Sequence, residues 1–138
     1  MSFIVIIPAR FSSSRLPGKP LIDIGGKPMI ERVYGLAKQS KAKEVYVATD
    51  HQEILDCCSS FGAKAVMTKP EHLTGTDRVA ETTEILNLTS ETVIVNLQGD
   101  EPFLNFNDID NLAKFFIKEK RFDIGTLFSN FTDKQNQS

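Results

Sequence analysis

Between Pro8 and Pro20 the chain reads Pro-Ala-Arg-Phe-Ser-Ser-Ser-Arg-Leu-Pro-Gly-Lys-Pro, which joins Arg10, Arg15 and Lys19 to three hydroxyls and a glycine. Guanidinium forks and an ammonium are the groups that grip and neutralise a triphosphate. Residues 1–22 contain no Asp or Glu, so this segment carries +3 and the remainder −5. A local positive patch on an acidic protein suits a small anion better than a polyanion. The P-loop pattern fails, because Gly18-Lys19 is followed by Pro20, which has no hydroxyl for a magnesium ion. There is no G-x-G-x-x-G either, so a dinucleotide site is unsupported. A solvated basic loop is the plain alternative.

Two further segments carry chemistry. Gln98-Gly-Asp-Glu101 follows the apolar run Val93-Ile-Val-Asn-Leu97. A carboxylate there, Asp100, suits Mg²⁺, which takes one or two carboxylates plus phosphate oxygens. It equally suits a polar turn in which Asp100 caps Gly99. His72-Leu-Thr-Gly-Thr-Asp-Arg78 reads as a loop entering a helix, with Thr74 or Thr76 as cap. The N–H groups of that helix start could meet an anion or a nucleobase, and Arg78 adds a donor fork. Cys57 and Cys58 are adjacent and staple nothing, and with two histidines and no C-x-x-C a zinc site is not expected.

Such loops must be held by a scaffold, and the patterning supplies one. The 138 residues have an ordinary globular composition, 41% hydrophobic and 25% charged, with a net charge of −2 that argues against a nucleic-acid binder. The N-terminal apolar run is too short for a signal or a span, so no membrane role and a cytoplasmic location are expected. Strands are expected at Phe3–Ile7, Val45–Ala48, Ala65–Met67, Thr92–Leu97 and Ile124–Phe128. Helices are expected at Pro28–Gln39, Gln52–Phe61, Thr76–Leu86 and Asn107–Lys118, the last capped by Asn107 or Asp108. The third is expected to bury Val79, Ala80, Thr83 and Leu86.

Alternating strands and helices with fully apolar strands imply an α/β domain: an open, mostly parallel sheet with helices on both faces. The expected domain covers 1–131, with a polar tail at 132–138. The chemical segments all follow strands, and open α/β sheets bind ligands at strand C-terminal ends. If sheet growth reverses after the third strand, the first and fourth strands are neighbours and their loops face one crevice.

Five blocks together resemble one family: residues Ile7–Leu21, Gly26–Ile30, Val47–Asp50, Thr74–Arg78 and Asn96–Pro102. They are similar, in order and spacing, to the 3-deoxy-D-manno-octulosonate (Kdo) cytidylyltransferases, the CMP-Kdo synthetases. The resemblance implies a Rossmann-like nucleotidyltransferase fold that transfers CMP from CTP to Kdo for lipopolysaccharide biosynthesis. It implies that Arg10, Arg15 and Lys19 hold phosphates and that Asp100 ligates Mg²⁺. It further implies that Ala9, Arg78 and Gln98 recognise cytosine, while Gly75 and Thr76 line the nucleotide pocket. Family members are homodimers and continue through a second half, with another metal-binding aspartate and much of the Kdo pocket. The chain is therefore expected to be a truncated, N-terminal nucleotide-binding portion. A non-catalytic CTP–Mg²⁺ binding module, or another sugar-acid or sugar-phosphate cytidylyltransferase, is the alternative.

Overall fold

The computed structural model describes residues 3–11, 18–70, 75–88, 92–97 and 105–119, with backbone alone at 75–76 and 115–119. The first strand, β1 (Phe3–Ala9), is buried along its whole length. It runs two residues beyond the expected end at Ile7, through Pro8. Pro8 shares the parity of Ile6, whose carbonyl faces β6 (Val93–Asn96) and accepts the Leu97 N–H at 3.1 Å. The described register with β6 stops at Ile6↔Asn96, so the missing N–H of Pro8 costs that ladder nothing.

After β1 come a 3₁₀ turn (Lys19–Leu21) and a two-stranded hairpin, β2 (Asp23–Ile24) and β3 (Lys27–Pro28). This hairpin has a signal in the sequence: Gly25-Gly26 supplies two consecutive positive φ angles, 61° and 95°, as a tight two-residue loop requires. Helix α1 (Met29–Gln39) follows, then β4 (Glu44–Thr49), α2 (Gln52–Ser60), β5 (Lys64–Met67), α3 (Gly75–Ile85), β6 and α4 (Phe106–Glu119). The main sheet has the order β5-β4-β1-β6, every pairing parallel. Growth does reverse after β5, and β1 and β6 are hydrogen-bonded neighbours.

Helices cover both faces. Phe3, Val5, Ile7 and Ala9 point to one side, where Ile30 and Val33 of α1, Ile54 and Cys58 of α2, and Ile109 and Ala113 of α4 complete the larger core. Ile4 and Ile6 point to the other, where they meet Ala48, Ile94 and Val79 of α3. Burying those apolar side chains at roughly 25 cal/mol per Å² drives the two layers onto the sheet. Helix α2 stops where expected: Gly62 takes φ 78°, and the Ala63 and Gly62 N–H groups close on the Cys58 and Ser59 carbonyls.

Three expectations need correction. The cap of α4 is Asn105, whose Oδ1 accepts the Asn107 N–H at 2.8 Å, so Asn107 and Asp108 lie inside the helix. Helix α3 begins at Gly75, which puts Thr76 in its first turn. The described buried face of α3 is Arg78, Val79 and Thr82, with Ala80 exposed. Apolar periodicity missed that face because two of its residues are polar. The expected strand at 124–128 and the tail at 132–138 lie outside the described residues.

Candidate functional site

The C-terminal ends of four parallel strands share one edge, and the residues that leave it carry most of the charge chemistry. Arg10 follows β1 and is exposed. Phe11, next along, is half-buried, and its carbonyl accepts the Gly18 N–H at 2.5 Å. Gly18 has φ 74°, and a Cβ there would lie 3.2 Å from the Phe11 ring. Glycine is therefore required twice over, for its backbone and for its lack of bulk. The 3₁₀ turn opens with the Leu21 N–H on the Gly18 carbonyl at 2.8 Å, which returns Lys19 to the end of β1. Arg10 and Lys19 thus stand on either side of the Phe11–Gly18 contact at the end of β1.

Behind them lies a buried polar cluster on the α3 side of the sheet. The Arg78 guanidinium is fully buried. Its Nη1 donates to Thr68 Oγ1 and, at 3.2 Å, to the Lys69 carbonyl, while Nη2 lies 3.6 Å from Asp50 Oδ2. Among the described residues, Arg78 Nε and Nη2 and Asp50 Oδ1 are buried with no hydrogen-bond partner. Burial lowers the Arg78 pKa from the ordinary arginine value; Asp50 opposes that shift and Arg10 adds to it. Arg78 and Arg10 therefore sense each other across the end of β1. Leaving such donors unmet costs on the order of 1–3 kcal/mol each, so this is a fork held at a price in stability. Asn96, at the last position of β6, is similar: its amide is buried and neither atom has a partner among the described residues.

Ala9 is in the core by its side chain, so only its backbone can serve a ligand. Gly75 and Thr76 form the start of α3, whose first turn offers N–H groups and carries Asp77. Arg15, Gln98, Asp100 and Glu101, with His72 and Thr74, lie outside the described residues. The described strand that leads to Gln98 and Asp100 nevertheless ends beside β1. Among the described residues, no group of three or more His, Cys, Asp or Glu could hold a metal, and no helix is long and apolar enough to cross a membrane.

Sequence reasoning gave no chemical role to Asp50, Thr68 or His51. A signal existed for Asp50, a lone carboxylate one residue past a buried strand. Thr68 and Arg78 are ten residues apart and meet only through the fold.

Comparisons with known proteins agree with this architecture. The family described as Cytidylyltransferase matches residues 4–136. The 3-deoxy-manno-octulosonate cytidylyltransferase of Hahella chejuensis is 46% identical over 134 residues, covering 97% of this chain and 52% of that protein. The enzyme of the same name from Saccharophagus degradans is 57% identical over 104 residues, covering 75% of this chain and 41% of its own length. The chain spans about half the length of the curated relatives it matches. Among solved structures, CMP:2-keto-3-deoxy-manno-octonic acid synthetase complexed with CTP superposes with a TM-score of 0.80 at 43% identity, covering 86% of this chain and 48% of that one. A nucleotidyl transferase from Methanothermobacter thermautotroptrophicus, at 17% identity and TM-score 0.69, shares the fold.

Proposed function

We propose that this chain, which belongs to the cytidylyltransferase family, supplies the nucleotide-binding half of an enzyme that transfers CMP from CTP to Kdo and releases pyrophosphate. One observation carries the reading: β1 and β6 are paired neighbours, so the segment with Arg10 and Lys19 and the segment leading to Gln98 and Asp100 leave the sheet side by side. The names of the relatives at 46% and 57% identity support the choice of substrate.

In this reading Arg10, Arg15 and Lys19 bind the triphosphate and offset the charge that develops on departing pyrophosphate. The Kdo 2-hydroxyl attacks the α-phosphorus in line as the bond from that phosphorus to the α–β bridging oxygen breaks; pyrophosphate departs with that oxygen and the hydroxyl proton passes to solvent. Gln98, Arg78 and the Ala9 backbone hold the cytosine, and Gly75 and Thr76 border it. A single carboxylate, Asp100, in the segment that follows β6 in the sequence suits Mg²⁺, which would take its remaining positions from phosphate oxygens and water. Bound there, Mg²⁺ supplies charge neutralisation on the phosphates. Two proposed features, dimer formation and the Kdo pocket, involve sequence beyond these described residues.

Calorimetry with CTP, with and without Mg²⁺, tests the reading, together with pyrophosphate release when Kdo and the remaining half of a relative are supplied. Mg²⁺-dependent CTP binding is expected, and Asp100→Asn should abolish the Mg²⁺ dependence while leaving the unfolding transition unchanged. An Asp100→Asn protein that binds CTP–Mg²⁺ as the parent does would remove Asp100 from the metal. Binding without any pyrophosphate release would favour a CTP–Mg²⁺ binding module.

A further inference from the structure

His51 does two separable things at the edge of the sheet. As the N-cap of α2 it accepts the Glu53 N–H on Nδ1 at 3.2 Å. Its own N–H donates to Thr49 Oγ1 at 3.3 Å, which ties the cap to the end of β4. The face of the imidazole ring stacks on Phe11, with centroids 3.9 Å apart and planes inclined by 11°. Phe11 is in turn the residue whose carbonyl holds Gly18, immediately before Lys19, and whose ring fills the space a Cβ on Gly18 would need.

The contacts form one chain: β4, His51, Phe11, Gly18, Lys19. An exposed capping role needs only a short acceptor such as Ser, Asp or Asn. The flat ring is explained by what lies on it. From this we infer that His51 is a positioning residue for Lys19: its imidazole face seats Phe11, and Phe11 fixes the Gly18 turn that aims the lysine along the edge where Arg10 stands. The inference rests on the phosphate-binding role proposed for Lys19. A preset lysine matters because a charge held in place binds a phosphate without first losing its own freedom.

Two substitutions separate the cap from the stack. His51→Asn keeps an acceptor for the Glu53 N–H and removes the ring; His51→Phe keeps a ring and removes the acceptor. The probes are CTP and CMP, each with Mg²⁺, by calorimetry on the whole chain, with thermal unfolding recorded beside them. His51→Asn should unfold with the parent, lose about tenfold in CTP affinity and change little for CMP. His51→Phe should unfold a few degrees lower, through the lost cap, with the parent's ratio of CTP to CMP affinity. A His51→Asn protein with the parent's ratio overturns the inference, as does a His51→Phe protein that loses it. The ring-current shift of the His51 imidazole protons, measured against Phe11→Leu, reads the stack without any nucleotide, and its absence also overturns the inference. If the parent holds CTP no more tightly than CMP, the phosphate role of Lys19 falls, and the inference falls with it. That result differs from the others because the parent itself fails.

Discussion

Arg78 shows how far a single residue can carry the argument. A fully buried guanidinium is tolerable only with compensation, and Asp50, Thr68 and the Lys69 carbonyl supply it on one side. Asp50→Ala should therefore lower the unfolding free energy by about 3 kcal/mol, because it strands the charge. Removing both charges, Asp50→Leu with Arg78→Met, should restore most of that loss, to within about 1 kcal/mol of the parent. Urea unfolding of the two proteins decides it, and a double variant no more stable than Asp50→Ala would show that the pair is not coupled. Lys19 belongs to the same scale and has the opposite logic. In the phosphate-binding role proposed for it, Lys19→Ala should weaken CTP more than CMP, as only CTP presents the outer phosphates. Titration calorimetry of both ligands measures this, and equal losses would count against the assignment.

At the level of elements, the four strands of the main sheet were legible from the sequence as mostly apolar runs between polar loops, although β1 runs on through Pro8, and the short β2–β3 hairpin was not expected. Helices α1, α2 and α4 were legible for the same reason, as their buried residues are mostly apolar and recur at helical spacing. Helix α3 was read less well, since Arg78 and Thr82 occupy its buried face and a polar group in the core leaves no apolar period to count. Strand pairing also sets a pH window. Tyr46 donates to Glu44, whose carboxyl also pairs with Lys64 across β4 and β5 at 3.3 Å. The Glu44 hydrogen bond and then burial push the Tyr46 phenol up from 10.0 to about 12. Burial pushes the Cys58 thiol of α2 up from 9.0 to about 12. Both groups are raised by folding, so the stability they support is complete below pH 9 and declines as the pH climbs toward 12. Urea unfolding at a series of pH values should show that decline, and Cys58→Ala with Tyr46→Phe should flatten it. A double variant as alkali-sensitive as the parent would contradict this origin.

For the molecule as a whole, the reversal of sheet growth is what sets β6 beside β1. The basic loop was visible in the letters, and so was the carboxylate after the fourth long strand. That the strands leading to them are neighbours was legible only as a condition on the direction of sheet growth, because strand order depends on long-range packing that no local pattern reports. The same dependence holds for the Asp50–Arg78–Thr68 cluster and for the Phe11–His51 stack, whose members are distant in sequence. Amide chemical-shift mapping during a titration with CTP and Mg²⁺ tests the convergence most directly. The account predicts shifts concentrated at Arg10, Phe11, Gly18, Lys19 and Leu97, on the edge that β1 and β6 share. Shifts centred instead on Glu44 and Lys64, at the far end of the sheet, would contradict it.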